Sequence, residues 1–195
     1  MSVDVTNEFF VAPTSLTVDD LTIRPWRPGD GATLAAVANA SYDHLAPWMD
    51  WATRDDPAEA AEVRVRDFAG KYLSRTDFVL SIWRGDELIG GSGLHPRWGG
   101  LDHGIAEIGM WIAGDHAHRG VGSRVLRALV DWAFSDEWGW RQLFWLCDPA
   151  NTASARTAEK AGFRLEGRIR GGLGRHVGAE STKIYGMLPT DPRPW

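Results

Sequence analysis

The sequence predicts an α/β protein of the α+β type, with a central, mixed and mostly antiparallel sheet of about seven strands flanked by about four helices. The chain has 195 residues, 44% of them apolar, which suits one domain with a sizeable core. Its hydrophobic periodicity changes in the order strand, two helices, three strands, helix, strand, helix, two strands. We therefore expect one domain over residues 1–195, with residues 1–20 as a candidate N-terminal extension.

Local signals place the individual elements. The predicted strands are residues 21–24, 78–83, 88–94, 105–112, 141–147, 163–169 and 181–187. The predicted helices are residues 31–41, 57–74, 121–134 and 152–161. Pro57 favours a helix start because proline fits the first helical turn, and Gly85 with Asp86 supplies a hairpin turn. The helix at 121–134 has apolar side chains along one face, so it should pack on the sheet with that face.

The composition argues against several functions. The formal net charge is -5 without a cluster of Lys and Arg, so no nucleic-acid partner is expected. No stretch approaches the ~20 apolar residues of a membrane span, so we expect no membrane partner and a cytoplasmic location. Cys147 is the only cysteine and is expected to be a buried thiol, so the sequence predicts neither an intrachain disulfide nor a metal site.

A loop with two glycines precedes the helix that begins near Val121. The loop follows a predicted strand, and Gly120 and Gly122 flank Val121. The first N–H groups of a helix have no partner within the helix, and glycine lets a phosphate approach the backbone. Arg119 and Arg124 can add charge-assisted hydrogen bonds. The pattern indicates an anion site; the alternative is a tight turn that requires the glycines for its conformation alone.

Three segments follow one another along the chain. They are Ala106-Glu107-Ile108-Gly109-Met110-Trp111-Ile112, His118-Arg119-Gly120-Val121-Gly122-Ser123, and Asn151-Thr152-Ala153-Ser154 with Glu159-Lys160-Ala161-Gly162-Phe163. Together they resemble the GNAT superfamily of N-acetyltransferases, in its RimJ/RimL-like branch, over about residues 21–187. The resemblance implies the GNAT fold, acetyl-CoA as the donor, and a primary amine on a protein N-terminus or a small molecule as the acceptor. It also implies direct attack within a ternary complex, and it allows a homodimer.

The resemblance further implies which residues bind acetyl-CoA. The family's pyrophosphate loop corresponds to Ala117, His118, Arg119, Gly120, Val121 and Gly122, followed by Ser123. Ala117 stands where the family has Arg or Gln, which predicts weaker CoA binding unless Arg119 or His118 compensates. The backbone groups implied to pair with the pantetheine arm are those of Met110, Trp111 and Ile112.

Asn151 and Ser154 match the Asn-x-x-Ser positions of the family at the start of a helix. By its residue type alone, Asn151 is a good cap for that helix. The resemblance implies that both residues contact the cofactor, and that Ser154 lies near the thioester sulfur and protonates the leaving thiolate.

Glu107 is the predicted general base. An ammonium must lose a proton before its nitrogen attacks a thioester, and a carboxylate commonly accepts that proton. Strand alternation places Glu107 with Gly109 and Trp111, opposite the apolar face that contains Ile108 and Met110. The alternative is a structural ion pair between Glu107 and a neighbouring Arg or His.

The acceptor site is expected between the first two helices and the late hairpin. Trp48 and Trp51, together with Glu107 and the loop at 171–176, would then contact the acceptor. His44, His95 and His116 are expected to be loop residues, and Tyr185 is expected to be structural.

Two alternative functions stay open at this level. Transfer of a larger acyl group, such as succinyl from succinyl-CoA, would need a further cation, and Arg168, Arg170 and Arg175 are candidates. A catalytically degenerate domain that binds CoA as a sensor is favoured only by Ala117.

Overall fold

The protein is built around an eight-stranded sheet, in a computed structural model that describes residues 4–171 and 180–195. The strands are β1 (Leu16–Val18), β2 (Leu21–Pro25), β3 (Phe78–Arg84), β4 (Glu87–Pro96), β5 (Ile105–Ile112), β6 (Gln142–Cys147), β7 (Arg164–Arg170) and β8 (Ser181–Met187). The α-helices are α1 (Gly31–Ala40), α2 (Tyr42–Leu45), α3 (Ala58–Leu73), α4 (Val121–Ala133) and α5 (Thr152–Lys160), with short 3₁₀ helices at Gly100–His103 and Gly114–His116. No helix within the two described ranges is long and apolar enough to cross a membrane.

The strand order β1-β2-β3-β4-β5-β6-β8-β7 gives a mixed sheet. Neighbouring strands are antiparallel except β5 and β6, which run parallel, so the predicted mixed and mostly antiparallel sheet is confirmed. The parallel ladder has three positions, from Ile105 opposite Gln142 to Glu107 opposite Phe144. Beyond Glu107 the two strands separate, and the edge of β5 that faces β6 pairs with no strand of the described chain.

The sequence prediction misses two short elements. β1 adds a strand before residue 21 and pairs with β2. Val5 and Phe10 lie in the hydrophobic core, so residues before this strand also pack against the domain. α2 is a single helical turn within the aromatic, proline-interrupted segment after α1. Three or four residues are too few for a periodicity to appear, because one helical turn already takes 3.6.

Helices cover both faces of the sheet. α4 buries Val125, Leu126 and Leu129 in one cluster with Ile108 of β5, as its periodicity predicts. α5 joins the same cluster through its buried alanines. A second cluster forms on the opposite face; it contains Leu34 of α1, Val65 of α3, Trp83 of β3 and, partly buried, Trp111 of β5.

Side chains along β5 therefore alternate between the two faces of the sheet as predicted. Ile108 faces α4, whereas Trp111 faces the layer of α1 and α3. Because side chains two positions apart lie on the same face of a strand, Glu107 and Gly109 share the face of Trp111. Glu107 is also the last paired position before β5 and β6 separate, so its carboxylate lies at the fork between the two strands.

Candidate active site

A cavity of about 550 Å³ lies where β5 and β6 separate. Asn151 and Ser154 of α5 line it from the side of α4 and α5. Glu107 and Trp111 line it from the side of α1 and α3. The gap between the two strands thus connects the two faces of the sheet, so a group held near α5 can meet a group held near Glu107.

The start of α4, where an anion site is predicted, packs against the end of β5 near this gap. The first hydrogen bond within the helix runs from the N–H of Arg124 to the carbonyl of Gly120, at 3.1 Å. The N–H groups of residues 121–123 precede it and have no acceptor inside the helix. Gly120 has φ +78°, which glycine adopts without strain, and no atom lies within 4 Å of the position that a Cβ would take there. The helix start is therefore open to a phosphate.

The two arginines beside this loop have different roles. Arg124 pairs with Asp19 and Asp20 in the turn between β1 and β2, at 3.4 and 3.0 Å. In this arrangement the guanidinium of Arg124 contacts two carboxylates and is not turned towards the loop as a free anion ligand. His118 and Arg119 are exposed at the loop, so they remain available to an anion.

The end of β5 packs directly against the start of α4. A Cβ on Gly122 would lie 3.5 Å from Cε of Met110 and 3.7 Å from Cγ1 of Ile112. Met110 and Trp111 line the cavity, whereas Ile112 and the loop from Ala117 to Ser123 are not among the described residues that do. Among the predicted cofactor residues, Gly122 thus connects the loop to the end of β5, and Met110 connects β5 to the cavity.

The start of α5 forms the opposite wall. The side-chain carbonyl of Asn151 accepts a hydrogen bond from the N–H of Ser154 at 3.0 Å, so the predicted helix cap is confirmed. The hydroxyl of Ser154 accepts a hydrogen bond from Nε1 of Trp145 at 3.0 Å. Cys147 is buried beside Ser154, and burial raises the pKa of its thiol. A neutral, buried thiol agrees with the structural role expected for this cysteine.

Glu107 is buried at the cavity floor with a charged neighbour. Nε of Arg97 lies 3.6 Å from Oε2 of Glu107. Glu107, the predicted general base, therefore also forms the ion pair that was the alternative to that role. It lines the cavity and is held there by Arg97.

A hydrogen-bonded Asp–His pair lies on the same wall. Nδ1 of His95 is 2.7 Å from Oδ1 of Asp77, and both residues line the cavity. The expectation that His95 lies in a loop is wrong, because β4 continues to Pro96 and places His95 directly opposite Glu107. The predicted strand ends at residue 94, two residues before the strand in the structure does. Only the register of β4 against β5 brings the two residues together.

Glycines in β4 and β5 leave room for flat rings on this face. A Cβ on Gly93 would fall 2.5 Å from the His95 ring, and one on Gly109 would fall 2.9 Å from its Nε2. A Cβ on Gly91 would likewise fall 2.5 Å from Nε1 of Trp111. The imidazole and the indole therefore lie close over the two strands.

Aromatic side chains form the outer wall of the cavity. Trp48 and Trp51 line it, as do Trp26 and Phe68 from the layer of α1 and α3. The ring of Trp51 meets that of Trp111 edge-on, with centroids 5.6 Å apart, while 47% of Trp51 remains exposed. The tryptophans expected to contact an acceptor thus lie at the cavity mouth.

The remaining candidates lie away from this cavity. Tyr185 donates a hydrogen bond from its hydroxyl to Oε1 of Glu159 at 3.0 Å, and burial together with this carboxylate raises the pKa of the phenol. Its hydroxyl is therefore engaged by Glu159, and Tyr185 is not among the described residues that line the cavity. Arg168 bonds the hydroxyl of Ser181, and neither it nor Arg170 lines the cavity in the described ranges. Arg175 and the loop at 172–176 lie outside the described residues.

Over the same ranges, no group of three or more His, Cys, Asp and Glu side chains is arranged to hold a metal ion.

Comparison with known proteins identifies the class of enzyme. The sequence model of the acetyltransferase (GNAT) domain matches residues 20–164. The chain therefore belongs to the GNAT acetyltransferases and is an acyl-CoA-dependent N-acetyltransferase. The GNAT fold and the RimJ/RimL-like resemblance predicted from the sequence are confirmed.

Individual relatives agree with this assignment. The chain is 27% identical to YdaF of Bacillus subtilis over 158 residues, which cover 80% of this chain and 84% of YdaF; its name describes a candidate ribosomal N-acetyltransferase. The fold is similar to that of RimL, a ribosomal-protein α-N-acetyltransferase bound to coenzyme A, with a TM-score of 0.79 at 19% identity over 89% of this chain and 97% of RimL. It is also similar to that of MccE, a microcin self-immunity acetyltransferase bound to acetyl-CoA and AMP, with a TM-score of 0.78 at 18% identity over 91% of this chain and 98% of MccE.

Proposed function

We propose that this protein transfers the acetyl group of acetyl-CoA to a primary amine, by direct attack within a ternary complex. The observation that carries this proposal is the cavity at the fork of β5 and β6, which Ser154 and Glu107 line from opposite sides. A thioester held at the fork would have a hydroxyl on one side and a carboxylate on the other. This arrangement suits direct transfer from the thioester to a nitrogen, because it offers a proton acceptor to the amine and a proton donor to the leaving sulfur.

Residues on the side of α4 and α5 would hold the donor. The free N–H groups at the start of α4 and the exposed Arg119 suit a pyrophosphate, because both present positive charge to an anion. At the uncovered edge of β5, the backbone groups of Met110 and Ile112 point away from β4, so they are available to pair with the amide groups of a pantetheine arm. Ser154 then lies at the inner end of this path, where its hydroxyl can give a proton to the leaving sulfur.

Residues on the side of α1 and α3 would hold the acceptor. Among the described residues that line the cavity, the carboxylates are those of Asp50, Asp77, Glu107 and Asp148, and the guanidinium groups are those of Arg64 and Arg97. The excess of carboxylates favours a cationic acceptor, as an ammonium is. Glu107 would accept a proton from this ammonium, directly or through a water molecule. The neutral nitrogen then attacks the thioester carbonyl.

The names of the relatives support a protein N-terminus as the acceptor, since YdaF and RimL both carry names of ribosomal-protein acetyltransferases. Trp48 and Trp51 would contact the apolar or flat group next to the amine. The arginines predicted for a larger acyl group give it no support in the described ranges, because neither Arg168 nor Arg170 lines the cavity.

The test is the release of CoA thiol from acetyl-CoA in the presence of a panel of amines. The panel contains peptides with free N-termini, the same peptides with blocked N-termini, and small primary amines. We expect thiol release only with a free amine, together with a product that is heavier by one acetyl group in mass spectrometry. Thiol release that is equal with free and blocked peptides and absent with every small amine would refute amine transfer.

A further inference from the structure

We propose that His95, oriented by Asp77, is a second catalytic residue, which accepts a proton from the acceptor nitrogen and releases it to solvent. This inference rests on the proposed function above. That function accounts for one proton acceptor, Glu107, whereas the chemistry removes two protons from the nitrogen.

The geometry places the free edge of the imidazole in the acceptor half of the cavity. Nδ1 of His95 is taken up by Asp77, at 2.7 Å. Nε2, on the other edge of the ring, lies over Gly109, where a Cβ would be only 2.9 Å away. Gly109 lies between Glu107 and Trp111 on the cavity face of β5. An acceptor nitrogen beside Glu107 is therefore also beside Nε2.

The two glycines show that the site is shaped for this ring. Any larger residue at position 93 would place its Cβ 2.5 Å from Cε1 and Nε2 of His95. The same holds, less severely, at position 109. Two adjacent strands thus lack side chains at the positions that the imidazole occupies.

Asp77 fixes which nitrogen of the ring can accept a proton. Burial alone would raise the pKa of the Asp77 carboxyl, but its hydrogen bond with His95 and the charge of Arg97 counteract burial, and the pKa is lowered. The carboxylate is therefore ionised and accepts the Nδ1–H. With Nδ1 engaged by Asp77, Nε2 is the ring nitrogen that faces the cavity and can accept a proton.

The proton balance of the reaction shows what the Asp77–His95 pair would do. An acceptor ammonium loses one proton before the nitrogen attacks and a second as the new C–N bond forms and the C–S bond breaks. Glu107 takes the first, and we assign the second to Nε2 of His95. Ser154 gives its proton to the thiolate, and the proton held by Glu107 restores it. One proton is then left over, and it leaves to solvent from His95.

The solvent exposure of the side chains agrees with these separate roles of Glu107 and His95. The side chain of Glu107 is 4% exposed, whereas those of His95 and Asp77 are 18% and 21% exposed. A proton on the imidazole can therefore reach water, while a proton on Glu107 is enclosed. The charged and titratable groups that face the imidazole are Asp77 from the segment before β3, Arg97 after β4, and Glu107 from β5.

The test compares His95→Asn and His95→Ala with wild-type enzyme in the thiol-release assay. Asparagine can keep the hydrogen bond to Asp77 but cannot accept the proton. We expect kcat to fall about 100-fold in both variants, the usual size of a general-base effect, with KM for acetyl-CoA unchanged. Added imidazole should restore a large part of the His95→Ala rate. The matched control is His103→Ala, since His103 is exposed and lies outside the cavity; its rate should equal that of wild type and should not respond to imidazole.

Asp77→Asn is a second variant, in case the His95 variants lower the unfolding midpoint. It should fold and lower kcat by a smaller factor, because the ring remains but its orientation is lost. A wild-type kcat in His95→Asn, or a His95→Ala defect that imidazole does not relieve, would overturn the role of His95 and leave the proposed function intact. If wild-type enzyme transfers acetyl to no amine, both proposals fail together.

Discussion

The two walls of the cavity are built in different ways. The side proposed to hold the cofactor, here called the cofactor wall, consists mainly of backbone: the uncovered edge of β5 and the capped start of α5 line the cavity, and the open N-terminus of α4 continues this side outside it. The acceptor wall consists of side chains: Glu107 from β5, His95 from β4, Asp77 before β3, and the tryptophans around them. The first wall is assembled from short continuous segments, and the second from residues far apart in the chain.

The difference explains how each wall can recognise its ligand. Helix ends and strand edges offer the same groups whatever their side chains are, so they suit a donor that is common to a family. Side chains on the cavity face can change without disturbing the sheet, so they suit an acceptor that differs between enzymes. Changes in one wall should therefore leave binding of the other wall's ligand nearly unaffected.

The largest expected effect is that of Glu107→Gln in the acceptor wall. Glutamine keeps the size of the side chain but cannot take a proton, so kcat should fall by about 100-fold to 10,000-fold. The dissociation constant for acetyl-CoA should stay within about twofold of wild type, measured by isothermal titration calorimetry. Glu59→Gln is the control, because Glu59 is exposed on α3 and lies outside the cavity. A Glu107→Gln enzyme with wild-type kcat would remove Glu107 as the base.

A slightly smaller effect is expected from Gly122→Trp in the cofactor wall. The new side chain would start 3.5 Å from Met110 and extend into the space beside the end of β5. We expect acetyl-CoA to bind about 100-fold more weakly, a loss of about 2.7 kcal/mol.

Gly70→Trp is the matched control for that change, since Gly70 is a helical glycine of α3 with no atom within 4 Å of its Cβ position. Calorimetry should show normal binding in Gly70→Trp. Equal affinities in the two variants would mean that the pyrophosphate does not bind at the start of α4.

The smallest effect is expected from Trp51→Ala at the cavity mouth. Trp51 is half-exposed and contacts Trp111 edge-on, so the loss of its ring should raise KM for the acceptor by about fivefold, or roughly 1 kcal/mol, without changing kcat. Trp98→Ala is the control, because Trp98 is 51% exposed and packs on Phe144 but lies outside the cavity. If both variants behave alike in steady-state kinetics, the mouth of the cavity does not contact the acceptor.

The difference between the two walls also determines which features of the site the sequence can predict. The start of α4 and the Asn151 cap are visible in the sequence because each is a local pattern of a few residues. The face on which Glu107 lies follows from strand alternation. The position of the fork at Glu107 does not follow from the local sequence, because it depends on where β6 separates from β5.

The Asp77–His95 pair cannot be predicted either. Asp77 and His95 are 18 positions apart, and only the antiparallel pairing of β3 with β4 brings them within 2.7 Å. The opposition of His95 to Glu107 depends in turn on the register of β4 against β5. Register and strand splitting are properties of the whole sheet, so they become visible only in the structure.

The most direct test of the account is thermal unfolding with and without acetyl-CoA, with ATP as the comparison ligand. ATP also carries adenine and phosphates but has no pantetheine arm to enter the fork. At about one hundred times its dissociation constant, acetyl-CoA should stabilise the protein by ~2.7 kcal/mol and raise the unfolding midpoint by roughly 5–10 °C. ATP at the same concentration should have a much smaller effect. An equal rise with ATP, or no rise with acetyl-CoA, would contradict a donor site that runs from α4 into the fork of β5 and β6.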